Sequence, residues 1–345
     1  MKISRKIKVL KRMARSYIGY KVGKPTPFVC SFYTTLRCNL DCPYCPTNQG
    51  FETEVDEYKQ ISEMNTEEAK KVIKKISTLG VSIFSFSGGE PLLRKDIEEL
   101  GSYAQSLGMS SILYTNGTLI DEKRSLAISE SFDSITISLP EIKDNNELRS
   151  MRSLKQAEEA LRHLKDKNIK VGVSFVINKY SIDKLEEIVG YTKNKADFLL
   201  YIPVHYAPEY FPSETQTKDI EKRLLKIKND NQSFISNSEE YIRLFSKYLK
   251  NEEIVTSCTA FDLYISLAPN GDLQGCSFPF SFGNVLQEDI KTLLEKSRNN
   301  KESLKDKCPG GVLEGCGQLP VLFQESIFSS LFSAGNIAKI LLKDE

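Results

Sequence analysis

At 345 residues with 40% hydrophobic side chains, the chain is long enough to bury a sizeable core and suits one large domain with a smaller companion. Lysine plus arginine (47) nearly balance aspartate plus glutamate (46), a net charge of +1 that leaves no overall electrostatic footprint for nucleic acid. No apolar run reaches the roughly 20 residues that cross a bilayer, and no secretory signal precedes the cysteines, so a reducing, cytoplasmic setting is expected.

Residues 1–26 form a basic arm. Residues 1–24 hold nine Lys or Arg and no acidic residue, while Ile3, Ile7, Leu10, Ala14, Tyr17 and Ile18 recur mostly at spacings of three and four. That pattern predicts an amphipathic helix with two open destinations: an anionic membrane surface, apolar side down, or the body of the protein, with the lysines merely solvated.

From residue 27 to about 206, short β-rich runs alternate with helical patterns, the signature of βα units around a parallel sheet. Six strands are expected: Phe28 to Thr35, Val81 to Ser87, Ser111 to Thr115, Ser134 to Leu139, Lys170 to Ile177 and Phe198 to Val204. Helices are expected over Thr66 to Leu79, Ile97 to Leu107, Ser153 to Lys167 and Ile182 to Lys193, the first capped by Asn65 or Thr66 with Glu67 and Glu68 in its first turn. In such folds the functional loops follow the carboxyl ends of the strands. Cys30 alternates with Phe28 and Phe32 on one face of the first strand and reads as a small buried hydrophobe.

The loop after the first strand reads Arg37-Cys-Asn-Leu-Asp-Cys-Pro-Tyr-Cys-Pro46. Cys38, Cys42 and Cys45 can converge on one metal centre with little loop-closure entropy. Structural zinc wants a fourth ligand, which is missing locally, whereas three thiolates can hold an iron-sulfur cubane with one iron left open. A zinc turn or a plain buried loop is the alternative reading.

The C-x3-C-x-aromatic-C pattern, with Tyr44 as the aromatic, resembles the signature of the radical S-adenosylmethionine (radical SAM) enzymes. The resemblance implies a TIM-like partial (β/α)6 barrel and a 4Fe-4S cluster on Cys38, Cys42 and Cys45. It also implies that the open iron chelates the methionyl group of S-adenosylmethionine, that reductive cleavage gives a 5'-deoxyadenosyl radical, and that a flavodoxin or ferredoxin donates the electron. Tyr44 is then expected near the adenine. Ser87-Gly88-Gly89-Glu90-Pro91 follows the second strand and looks like the family's GGEP motif. Glycines there would allow close backbone approach, and Glu90 would accept from the methionyl ammonium; alone, the same residues are a turn. Thr115-Asn116-Gly117 is a turn by composition and similar to the family's cofactor-lining T-N-G. Ser138 corresponds to a polar position near the ribose or carboxylate, but Pro140 and Glu141 depart from the usual acidic-glycine pattern. Asn178, ending the fifth strand, is either a further cofactor contact or a turn residue.

Of two histidines, His163 sits in a charged helix and reads as surface. His205 follows the sixth strand and is the candidate catalytic side chain, able to bond the substrate or move a proton, against a structural role.

Residues 207–253 read as linking helices, from Glu214 through Lys228 and from Glu239 to Lys250. Over 254–318 come Cys258, Cys276, Cys308 and Cys316, with a hairpin from Asp262 to Ala268 turning through Pro269-Asn270-Gly271-Asp272 into Leu273. This segment resembles the SPASM and twitch extensions of radical SAM enzymes, and four thiolates imply one closed auxiliary 4Fe-4S cluster suited to electron transfer. A four-cysteine zinc site is the alternative. Residues 319–345 are apolar, with a charge-free run from Ser326 to Ala338 too short to span a bilayer.

The expected activity is therefore radical SAM oxidoreductase chemistry at an unactivated C–H, with the auxiliary cluster relaying an electron. Basic and apolar ends make a membrane lipid or isoprenoid an attractive substrate, with the protein peripheral on the inner membrane face. Peptide maturation and oxidation of a small polyol or amino sugar are equally compatible. A non-catalytic iron-sulfur or zinc protein is the reading from another class.

Overall fold

The computed structural model describes residues 3–45, 61–140, 151–205, 207–252, 258–275 and 281–301. In chain order the elements are α1 (Ile3–Lys21), β1 (Val29–Tyr33), α2 (Thr66–Thr78), β2 (Ile83–Ser87), α3 (Ile97–Ser106), β3 (Ser110–Thr115), α4 (Glu122–Ser131), β4 (Ser134–Leu139), α5 (Met151–Leu164), β5 (Lys170–Ile177), α6 (Leu185–Thr192), β6 (Phe198–Pro203), α7 (Glu214–Thr217), α8 (Ile220–Asp230), α9 (Glu239–Leu249), β7 (Tyr264–Leu267), β8 (Leu273–Gln274) and α10 (Ile290–Asn299). The strands form one eight-stranded sheet in the order β6-β5-β4-β3-β2-β1-β7-β8. Only the β7–β8 pair is antiparallel. The expected α/β class of six parallel βα strands is present, and the hairpin adds to it: β7 pairs with β1 (Val29 with Tyr264, Phe32 with Leu267), so the C-terminal hairpin continues the main sheet.

Local sequence explains the elements. Asn65 caps α2 by accepting from the Glu68 amide (3.0 Å) while the Glu68 carboxylate accepts from the Asn65 amide (2.9 Å), a reciprocal pairing of otherwise orphan donors. The expected strands over Ser134–Leu139 and Lys170–Ile177 match β4 and β5 residue for residue. The expected helix from Ile182 opens instead as a 3-10 turn before α6. Helix α4, capped by Asp121 on the Arg124 amide, has little apolar periodicity and was not among the expected helices.

The two faces of the sheet differ. Cys30, Phe32, Phe84, Phe86, Leu113, Ile135, Ile137, Val173 and Phe175 lie in the main apolar core with α2 to α6. Cys30 is fully buried there, as expected. On the opposite face, register places hydroxyls side by side: Ser31 beside Ser85 and Ser266, and Ser138 beside Ser174. Ser31 and Ser85 oxygens lie 2.8 Å apart, and Ser174 donates to Ser138 at 3.3 Å. Gly172 leaves room on this face for the Phe198 ring, which a Cβ would meet at 2.1 Å.

Towards the amino ends of the strands the same face becomes apolar. Ile83, Ile112, Leu263 and Tyr264 pack with Val9 and Met13 of α1, joined by Phe28, which precedes β1 and so leaves the face of Cys30 and Phe32 where strand alternation had placed it. Polar ties fix the helix: Arg5 pairs with Asp133, Ser16 donates to the Thr26 carbonyl (2.6 Å), and Arg12 donates to the carbonyls of Val81 (2.9 Å), Gly108 (3.1 Å) and Leu107 (3.2 Å). Of the two destinations open to the arm, its packed face takes the second. Helix α1 closes the floor of the sheet.

Candidate active site

Because β1 to β6 run parallel, the loops following all six open at one end, opposite α1. The cysteine loop follows β1. Its amide of Leu40 donates to Cys38 Sγ (3.4 Å) and the Cys45 amide to the Cys42 carbonyl (3.0 Å). Cys42 is buried; Cys38 and Cys45 are half-buried. Burial foremost, and then the negative charges of Glu90 and the neighbouring Cys42 and Cys45, push the Cys38 thiol above its ordinary range, against the Leu40 amide. The three thiols thus sense one another, although among the described residues no three ligating side chains are closed around one point. As a donor set, three soft thiolates in one short loop, one already taking an amide bond, fit an iron-sulfur cluster.

Gly88 and Gly89 serve the loop through backbone contact. A Cβ on Gly88, which holds φ of +128°, would sit 2.3 Å from the Thr35 carbonyl oxygen, and one on Gly89 would sit 2.2 Å from that of Arg37. The Gly89 and Glu90 amides donate to those same two oxygens at 2.8 Å. The close approach expected of these glycines is therefore made, in this structure, to the start of the cysteine loop.

Glu90 is completely buried. Its carboxylate accepts from the Leu92 amide (2.9 Å), the Thr115 hydroxyl (2.7 Å) and the Asn116 amide (2.8 Å). Burial pushes its carboxyl above the usual carboxylate range, making it a weaker acid, and those donors only partly offset this. Thr115 also accepts from the Gly117 amide (3.0 Å), and Asn116 donates to Asn39 (2.9 Å) inside the cysteine loop. Three loops that the sequence separates are joined by one carboxylate and one amide.

Glu63 and Arg94, which brace the cysteine loop from behind, were not among the residues the sequence singled out. The Glu63 carboxylate accepts from Nε and Nη2 of Arg37 (2.9 and 3.0 Å) and from the Thr35 hydroxyl (2.5 Å). Burial alone would raise the Glu63 carboxyl, but these donors and the Arg37 charge bring it below its usual value. Buried Arg94 clamps Asp96 and donates to the carbonyls of Thr34 (3.3 Å) and Met64 (3.0 Å). The position of Arg37 beside Cys38 was the available signal.

The other candidates divide. Ser138 lies on the hydroxyl face beside Ser174. Asn178 is buried and turns the chain after β5, its Oδ1 accepting from the Tyr180 (2.9 Å) and Ser181 (3.1 Å) amides, which supports the turn reading. Tyr44 packs edge-on against Tyr210 (5.9 Å), which meets Tyr180 (6.4 Å), with Lys179 over both Tyr180 (4.9 Å) and Tyr210 (5.6 Å). His205 follows β6 and lies 5.5 Å from the Tyr248 ring; burial pushes its imidazole down to about 4, so it is neutral at pH 7. His163, read as a surface residue, is half-buried and pairs with the exposed Glu122. Cys258 is exposed; Glu141, Cys276, Cys308, Cys316 and the 319–345 segment lie outside the described residues.

Comparison with known proteins agrees with this frame. Residues 32–191 match the model of the radical SAM superfamily. The Fe-coproporphyrin III synthase of Methanosarcina barkeri is 36% identical over 159 residues, 45% of this chain and 38% of that enzyme, so the match spans little more than a third of the relative. Among solved structures, Streptococcus suis SuiB bound to its precursor peptide SuiA aligns with a TM-score of 0.61 at 17% identity, covering 91% of this chain and 77% of SuiB. The anSMEcpe enzyme with bound AdoMet and a Cp18Cys peptide aligns at 0.59 and 19% identity, covering 91% and 96%. These last two likenesses concern the fold. The matched region, residues 32–191, carries the cysteine loop, the buried glutamate that ties it to the next two strands, and most of the parallel sheet beneath them, and over that region the chain is similar to the radical SAM superfamily.

Proposed function

We propose that this chain is a radical SAM oxidoreductase acting on a polar, water-borne substrate, of which a peptide is the best-supported class. The observation that carries the reading is the Glu90 junction, which holds the cysteine loop, the GGEP turn and the TNG turn as one unit at the mouth of the sheet. When bound, the three-cysteine 4Fe-4S cluster supplies the electron that cleaves S-adenosylmethionine to the 5'-deoxyadenosyl radical. The chain's own part is to hold Cys38, Cys42 and Cys45 on a fixed frame, to offer hydroxyls of Ser138 and Ser174 beneath, and to exclude water with the Tyr44, Tyr180 and Tyr210 cluster.

Two features favour a polar substrate over a lipid. The face of the sheet opposite the main core presents a row of serine hydroxyls, and the basic helix α1 lies at the far end from the mouth, so it would not deliver a lipid there. SuiB and anSMEcpe were each captured with a peptide, which gives the peptide class its support. An auxiliary 4Fe-4S cluster on Cys258, Cys276, Cys308 and Cys316 would take up an electron from the substrate radical, and a flavodoxin or ferredoxin would supply the first.

The test is anaerobic. After reconstitution with iron and sulfide, dithionite and S-adenosylmethionine should give 5'-deoxyadenosine, and replacing Cys38, Cys42 and Cys45 by Ala should abolish it while lowering bound iron by about half. Undiminished cleavage by the triple variant would sink the assignment. Replacing Cys258 and Cys276 should spare cleavage but stop substrate turnover.

A further inference from the structure

Helix α1 is apolar on two opposite sides. At about 100° per residue, Val9, Met13 and Ser16 point to the floor of the sheet, where all three are buried. Ile7, Leu10, Ala14 and Ile18 fall on the other side. Ile7 is 49% exposed, Leu10 46%, Ile18 60% and Val22, just past the helix, 64%. These four account for all but one of the large exposed hydrophobic side chains among the described residues, the other being Leu126. Packing on the sheet therefore explains one face of the helix and leaves the second unexplained.

Cations frame that second stripe. Lys8, Lys11 and Arg15 border one side, Lys6 the other, and Lys21 stands at its carboxyl end, in an arm with nine basic residues and no acidic one. A second copy of the chain would bring its own nine cations to the same face. The chain's own apolar segment 319–342 offers a single acid, Glu325, against them. Charge complementarity selects an anionic surface, and an apolar stripe flanked by lysines that can extend sideways to headgroups is the layout of a helix lying in a bilayer interface.

We infer that α1 docks this protein onto anionic lipid bilayers through Ile7, Leu10, Ala14 and Ile18, with Lys11 and Arg15 at the headgroups. The helix binds the floor of the sheet with one side and the membrane with the other. Docked so, the cysteine loop faces away from the bilayer, and the substrate reaches it from water.

The full chain should cosediment with vesicles of mixed phosphatidylglycerol and phosphatidylcholine and not with phosphatidylcholine alone, and the binding should weaken as salt rises. The double variant Ile7→Ser/Ile18→Ser, and separately Lys11→Glu/Arg15→Glu, should each lower vesicle binding tenfold or more. Both should keep the wild-type Tm, because these side chains lie outside the buried cluster that seats the helix. Equal binding to neutral vesicles, or undiminished binding by either variant, would overturn the inference. So would a lowered Tm in Ile7→Ser/Ile18→Ser, pointing to the 319–342 segment as occupant, or a dimer by light scattering that the same variant dissolves, pointing to a second copy.

Discussion

The two ends of the sheet each bury a carboxylate, and they satisfy it differently. At the mouth, Glu90 is surrounded by neutral donors: two backbone amides and one threonine hydroxyl. At the floor, Asp133 takes the Arg5 guanidinium together with the Ser111 amide (3.0 Å) and the more distant Ser110 hydroxyl (3.4 Å). Burial raises both carboxyls above their usual range, Asp133 in spite of the Arg5 charge. Neutral donors at Glu90 hold three loops in register around the thiols without placing a cation among them. The ion pair at Asp133 anchors a single helix. The mouth is built for position and the floor for attachment, so damage to the first should read out in chemistry and damage to the second in stability.

Gly89→Ala gives the largest effect and tests the mouth. Its Cβ would meet backbone, not a side chain that can swing aside, so the cysteine loop must shift. 5'-Deoxyadenosine formation should fall at least about 100-fold, a loss of roughly 3 kcal/mol of transition-state stabilisation. Retention of full activity would mean that the loop is not held by this contact.

Arg5→Met comes next and tests the floor. Leaving Asp133 buried without its cation should cost about 3 kcal/mol of stability at neutral pH, read from urea unfolding. The sign with pH is fixed by the raised folded-state carboxyl, which prefers its proton in the folded chain. The penalty should shrink as pH falls through the range above the unfolded carboxyl value and grow as pH rises. Adding Asp133→Asn should recover part of the loss, and cleavage activity per folded molecule should stay near wild type. A pH-independent penalty would mean that the pair is too solvated to matter.

At neutral pH His205→Phe should show the smallest effect, because its contribution changes only at acid pH. The folded imidazole is pushed down to about 4 from an ordinary 6.5, so the unfolded chain binds the extra proton between those values and stability is lost as pH falls through that window. The full loss is about 3 kcal/mol, and the phenylalanine variant should lack it. Comparing the two proteins at each pH separates this slope from the opposite contributions of Glu90 and Asp133. If turnover of substrate also survives the replacement, His205 is a packing residue against Tyr248, not a catalytic one.

Much of the fold was legible in the chain because strand and helix signals are local. β4 and β5 matched their expected bounds, and Asn65 or Thr66, with Glu67 and Glu68 following, marked the start of α2, which the structure resolves as a cap by Asn65. Helix α4 was not legible, since Asp121 caps it but Leu126 points to solvent and little apolar rhythm remains. The pairing of β7 with β1 joins Tyr264 to Val29 across more than half the chain, and no local pattern encodes such a partner.

For the site, the three cysteines, the GGEP turn and the TNG turn were legible as candidates in the sequence alone, because they are residue types at short fixed spacings. Tertiary structure decided what each of them touches. It turned Gly88 and Gly89 towards the backbone of Thr35 and Arg37, Glu90 towards Thr115 and Asn116, and Asn116 towards Asn39. It also gave α1 two faces where one hydrophobic period had suggested a choice between them. Spacing along a chain fixes which side chains can share a loop or a stripe, whereas hydrogen bonds and burial depend on which surface arrives opposite, and only the assembled sheet supplies that surface.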